Sequence, residues 1–317
     1  MAKNKQQAPE GIEFRKSQKR LVDTDGFKGM VLLLPYALLF TAFILLPVLI
    51  AIGLSFTYFD VVNPAKFSGL NNYITLLTGD EVFMKYVLPT TIMYAIIVGI
   101  GGYVLSFLMA WVLAQVTPRA RTLYALAMYT PSMTGQLMIT LIWKTLFSGD
   151  QSGLINSWLT QLQLIDQPIQ WLVNSDYFMQ IMIIASLWSS MGIGFLSMLS
   201  GIMNIDQELY EAAYVDGLRN RAQEIVYITV PSMKPQMLFG AVMSIVNAFN
   251  MGWLGVALAG ANPTPDYSGQ LIVNHIDDYA YLRYEMGYAS AVSVALLCLV
   301  WVCSQVANKL FTEKEEF

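Results

Sequence analysis

The sequence predicts an all-α membrane protein that crosses the bilayer six times. Three observations predict it. The chain of 317 residues is 56% hydrophobic and only 13% charged, whereas a soluble domain of this size is nearer 45–50% apolar and about 25% charged. The charges fall in short islands between apolar runs. Those runs are about twenty residues or longer, the length an α-helix needs to cross a hydrocarbon core. With no water there to satisfy backbone groups, each run must be helical.

Residues 1–28 form a polar tail carrying Lys3, Lys5, Arg15, Lys16, Lys19, Arg20 and Lys28. It contains no short apolar core with a small-residue cleavage site, so no cleaved signal is expected. Residues 29–310 are the membrane domain. The first span is 29–55, with Pro35 and Pro47 expected to kink it. The second is 86–114, where Gly99, Gly101 and Gly102 permit close helix approach. The third is 122–147 and the fourth 177–203. The fifth, 236–259, and the sixth, 286–310, flank a loop with several tyrosines, and a short tail, 311–317, ends the chain. The second outer loop, 148–176, holds an amphipathic run from Leu154 to Leu164 and two interfacial tryptophans, Trp158 and Trp171.

Orientation follows from Lys and Arg. The tail, the 115–121 turn, the 204–235 island and the end of the chain share one side and most of the basic residues. The other side has only Lys66, Lys85, Lys144 and Arg283, among acids such as Asp80, Asp150 and Asp278. By the positive-inside rule the island and both termini are cytoplasmic.

The island, 205–235, reads as helix, sharp turn, helix. Asp206 can cap the first helix. Leu209, Ala212 and Ala213 give it a small apolar face, and Gly217 can end it. Pro231 and Pro235 suit the first turns of later helices.

Glu211-Ala212-Ala213, Asp216-Gly217 and Ile228-x-Val230-Pro231 resemble the EAA loop of binding-protein-dependent ABC transporter permeases. Val230 stands where that family has Leu, and Gly217 and Pro231 are one residue further apart than its common spacing. Phe67-x-Gly69-Leu70-x-Asn72-Tyr73 and Met286-Gly287-Tyr288-Ala289-Ser290-Ala291 resemble signatures of the carbohydrate-uptake members, and Gly260-Ala261-Asn262-Pro263 sits where they often carry G-G-P. The likeness covers about residues 30–310 and is to the first of the two permeases of a maltose-type importer. It implies the six-helix permease fold and a loop that docks into a cleft on an ATP-binding subunit. On that likeness Glu211 holds the loop or pairs with a basic ATPase residue. Ala212, Ala213 and Gly217 allow close approach beside Asp216, and Ile225, Ile228 and Pro231 build the second short helix. The implied partners are a second permease, cytoplasmic ATP-binding subunits that carry ATP and Mg, and an extracytoplasmic solute-binding protein. The expected location is the cytoplasmic membrane of a prokaryote.

What is missing agrees with that role. No G-x-x-x-x-G-K-[ST] phosphate loop is present, so the chain is not expected to bind ATP. No nucleophile elbow appears, so no enzyme is expected. The lone histidine, His275, is expected as a surface imidazole without metal partners, and Cys298 and Cys303 point to different sides of one helix. Apart from Lys144, no ionised side chain lies within an apolar run, whereas ion-driven carriers generally need one.

A path without charge fits a neutral polyhydroxyl solute, such as an oligosaccharide. Ser244, Asn247 and Asn250 on the fifth span can donate to and accept from sugar hydroxyls, and Phe249 and Trp253 can stack on pyranose faces. Trp188 and Gly192 on the fourth span follow by the same logic. The maltose-type likeness places part of its sugar site on the corresponding fifth helix. Alternatives are the same machinery carrying a glycerol phosphodiester or polyamine, and a self-sufficient carrier or channel.

Overall fold

The computed structural model describes residues 25–311, so the basic tail up to residue 24 and residues 312–317 lie outside it. It divides into two units, residues 1–50 and 51–317. The apolar helix α1, Gly29–Ser55, has no polar face to present to water. A wide π-helical turn, Thr41–Leu45, precedes Pro47. The same wide turn precedes Pro89, at Phe83–Val87, and Pro231, at Ile225–Thr229. A proline cannot donate to the carbonyl four residues back and its ring crowds it, so the helix widens there. Pro35 sits inside regular α-helix with no such turn.

In the second unit, two-residue strands β1 (Thr57–Tyr58) and β2 (Lys66–Phe67) pair antiparallel. The Asn72 amide donates to the carbonyls of Ser55 and Thr57, and the Tyr73 hydroxyl to Ser55 Oγ at 2.7 Å. Gly69 takes a φ of +61°. The motif 67–73 is therefore a joint that folds the chain back on the end of the first span. Gly287 fits against it with no room for a side chain: an added Cβ would meet the Thr57 carbonyl at 2.1 Å.

The remaining helices run back and forth. They are α2 (Phe83–Ala114), α3 (Pro118–Met133), α4 (Gln136–Leu146) and α5 (Leu154–Gln161). Then follow α6 (Ser175–Trp188), α7 (Ile193–Met203), α8 (Gln207–Val215) and α9 (Arg221–Glu224). The chain closes with α10 (Lys234–Ala259), α11 (Ile272–Asp277) and α12 (Met286–Phe311). α7 packs on α2 and α10, and α10 on α12. Gly102 lets α2 approach the bend between α6 and α7, since its missing Cβ would lie 3.0 Å from Ser190 Cβ.

Two predicted spans are not single helices. Among the described residues four helices are long and apolar enough to cross a membrane, and α6 with α7 make a fifth, bent by 44°. The stretch predicted as the third span is two shorter helices, α3 and α4. Thr134 and Gly135 between them are extended, with ψ of 132° and 146°. Pro131 and Gly135, four residues apart, remove a donor and a helix former from the same turn.

His275 is also corrected. It is 3% exposed, not a surface imidazole. Its Nε2 meets Asp80 Oδ2 at 2.8 Å, and the same oxygen accepts from Tyr279 at 3.2 Å and Tyr288 at 2.8 Å. Asp80 Oδ1 accepts from the Phe83 amide. Burial alone would raise the Asp80 carboxyl. The hydrogen bonds from His275, Phe83 and Tyr288 outweigh it and hold the group well below the usual carboxylate range. Burial, with the Asp80 charge beside it, pushes the Tyr279 hydroxyl up to about 12.

Candidate functional site: a polar cavity between the helices and an exposed knuckle

A cavity of 330 Å³ opens where the helix breaks converge. α10 contributes Ser244, Asn247, Asn250, Met251 and Trp253. The end of α6 and its bend into α7 contribute Ser186, Ser189, Ser190 and Gly192, and the break between α3 and α4 with its flanking turns contributes Ser132, Thr134 and Gln136. Val98, Pro131, Ile139 and Ala248 complete the wall, which carries no charged side chain. The breaks explain the placement. Each interrupts a helix at a turn rich in small hydroxyl residues, and such non-helical backbone is tolerated at membrane depth only where it lines a cavity.

Five of the seven predicted path residues meet here: Ser244, Asn247, Asn250, Trp253 and Gly192. Phe249 and Trp188 do not line it. Phe249, two positions from Asn247 and so on another helix face, is 5% exposed. Trp188 lies edge-on to Trp143 with ring centres 5.9 Å apart. The Ser244 hydroxyl is spent on the Gly99 carbonyl at 2.7 Å, and the Asn250 amide donates to Val246 within its own helix. The side chain of Asn247 is exposed and has no hydrogen-bond partner among the described residues. The sequence signal for the missed wall residues was the run Ser186-x-x-Ser189-Ser190 and the stretch Pro131-Ser132-x-Thr134-Gly135-Gln136 within apolar segments.

The island forms the second element. Asp206 caps α8, accepting from the Glu208 amide at 3.0 Å. Gly217 ends it with a φ of +99°, which only glycine adopts cheaply. No residue of α8 is buried. Glu211 and Ala212 are exposed, Ala213 is half-buried, and Asp216 and Gly217 are exposed at the turn. Leu209, Val215 and Val226 are exposed. Ile228 is 8% exposed and Ile225 packs on the core beside Met198 and Met233. Pro231 opens a further short turn. Beneath the island lies a second cavity, 390 Å³, whose wall includes Glu211, Arg121, Trp111 and Tyr210. Arg121 bonds the carbonyls of Leu113, Ala114 and Val116 at the end of α2.

Residues 102–310 match the family described as binding-protein-dependent transport system inner membrane component. The chain is 29% identical to the arabinooligosaccharides transport system permease protein AraP of Bacillus subtilis, over 87% of this chain and 86% of that protein. It is 28% identical to the lactose transport system permease protein LacF of Rhizobium radiobacter, over 75% and 76%. Its fold superimposes with a TM-score of 0.74 on a chain of a bacterial alginate ABC transporter solved in complex with an alginate pentasaccharide-bound periplasmic protein. That match is 22% identical and covers 90% of this chain and 93% of the other. Family match and apolar helices agree that this is a multi-pass membrane protein and a member of the binding-protein-dependent inner membrane component family.

Proposed function

We propose that this chain is one permease subunit of an ATP-driven importer for an oligosaccharide in the cytoplasmic membrane of a prokaryote. The observation that carries the reading is the uncharged cavity walled by hydroxyls and amides from α10 and the two interrupted helix pairs. Such a wall suits polyhydroxyl solutes and offers no ionised side chain to neutralise a charged cargo. The broken pair α3 and α4 counts as one crossing, which makes six, with both termini cytoplasmic. The island then faces the cytosol, where Glu211, Ala212, Ala213, Asp216 and Gly217 dock into an ATP-binding subunit that holds ATP and Mg. The wall is open on one side, and a second permease closes it. A solute-binding protein delivers cargo at the opposite face. The AraP and LacF likenesses and the alginate complex support sugar as the cargo class and a periplasmic donor.

In the mechanism, closure of the ATP-binding subunits moves the island. α7 and α10, which flank it, carry the motion to the cavity walls and expose the cavity to one side and then the other. The test is reconstitution in vesicles with both permeases, the ATPase and the binding protein, using tritiated arabinotriose and maltotriose. Uptake that requires every component and ATP supports the reading. Uptake by this chain alone sinks it.

A further inference from the structure

The island holds a pair of contacts that the coupling motif does not include. Tyr210 and Tyr214 lie one turn apart on the same face of α8. The Tyr214 hydroxyl donates to Glu224 Oε2 at 2.8 Å, and that oxygen also accepts from Arg221 Nη1 at 2.6 Å. The Tyr210 hydroxyl meets Thr229 Oγ1 at 3.1 Å, and Thr229 Oγ1 reaches back to the Glu224 carbonyl at 3.3 Å. Glu224 is 7% exposed and Thr229 fully buried. Two hydroxyls spaced i, i+4 thus grip two points, 224 and 229, on the segment that leads into α10. A buried carboxylate stripped of a donor loses a charge-assisted bond and is left partly unsatisfied. Gly217 turns the chain between α8 and α9 with a φ of +99° and nothing within 4 Å of where its side chain would sit.

We propose that Tyr210 and Tyr214 are positioning residues that clasp α8 to the 221–229 segment, so that a push on α8 reaches α10 undiminished rather than being absorbed at the Gly217 turn. The clasp acts through Glu224 and Thr229 and touches neither cargo nor nucleotide. It rests on the reading of the island as the ATPase-docking loop. It gives Glu224, outside the Glu-Ala-Ala motif, a role in transmission.

The test places nitroxide labels at Val215 and Val226, both exposed, with Cys298 and Cys303 replaced by serine. Distances are recorded in the assembled transporter, nucleotide-free and trapped with ATP and vanadate. The clasp requires one narrow distribution that is the same in both states. In Tyr210→Phe/Tyr214→Phe, and more weakly in Tyr214→Phe alone, it requires a distribution about twofold wider. Sugar imported per ATP hydrolysed should fall by about fivefold. Glu224→Gln with both tyrosines present, which keeps an acceptor for Tyr214, should leave the distribution narrow. A wild-type distance that shifts on trapping, or a double variant as narrow as wild type, overturns the proposal. If the double variant does not assemble, Tyr214→Phe alone decides by the same criterion. Failure of the ATPase to bind the island at all would instead sink the functional reading, and the nucleotide-free comparison would still judge the clasp.

Discussion

His275 Nε2 lies 2.8 Å from Asp80 Oδ2, although 195 positions separate the two residues. This contact joins the loop ahead of α2 to the short helix α11, and Tyr288 brings in the first turn of α12. One buried carboxylate therefore fixes three elements distant in the chain. Asp80→Ala leaves two tyrosine hydroxyls, an imidazole and the Phe83 amide without their acceptor. A loss of about 3–5 kcal/mol is expected, read as a lower thermal midpoint of the detergent-solubilised protein. Asp80→Asn, which keeps one oxygen, should lose less.

The pH dependence of that joint follows from its sign. The Asp80 carboxyl is lower in the folded state than its ordinary value. Its contribution is therefore fully present above the ordinary carboxylate pKa of about 4. It is lost as pH falls from there toward the lower folded value. Thermal midpoints should be insensitive to Asp80 between neutral and mildly acidic pH. The gap between wild type and Asp80→Asn should narrow only under strong acid. A gap that closed at pH 6 would exclude this assignment.

Asn247 presents an unpartnered amide to the cavity, whereas Ser244 and Asn250 already spend a donor on backbone carbonyls. Asn247→Ala should therefore raise the sugar concentration for half-maximal uptake by about fivefold, near 1 kcal/mol for one hydrogen bond. Ser244→Ala should act mainly through the lost hydrogen bond to the Gly99 carbonyl. Uptake curves at saturating binding protein separate the two.

Gly217 holds a φ of +99°. Any β-branched residue there pays about 1–2 kcal/mol of backbone strain. Gly217→Val should leave the cavity intact yet reduce uptake sharply, because the exposed end of α8 is displaced. Glu211→Ala should weaken ATPase association without changing thermal stability, since Glu211 is exposed. Co-purification of the ATPase and the thermal midpoint, measured together, check both.

Gly102 sits against Ser190, and its missing Cβ would lie 3.0 Å from Ser190 Cβ. Gly102→Leu should force α2 and the α6–α7 bend apart beside the cavity. Overpacking of this kind typically costs about 1–3 kcal/mol. Both a lower thermal midpoint and reduced uptake are expected, while Gly53→Leu, with open space around it, should change neither.

The helical class, most of the apolar segments and the cap and stop of α8 were legible in the chain, because they depend on local things: run length, Asp206 at a helix start, Gly217 at its end. So was the polar face of α10, where Ser244, Asn247 and Asn250 recur at helical spacing. The breaks in the third and fourth segments were not legible from hydropathy, since a window of apolar residues reads the same whether the helix is whole or interrupted. Nor was the fate of His275, which depends on a carboxylate distant in the chain. Phe249 and Trp188 were aromatic residues in the right segments, but only helix rotation against neighbours decided that they pack away from the cavity. Periodicity gives a helix its faces, and the packing of other helices chooses which face meets the cavity and which charge finds its partner.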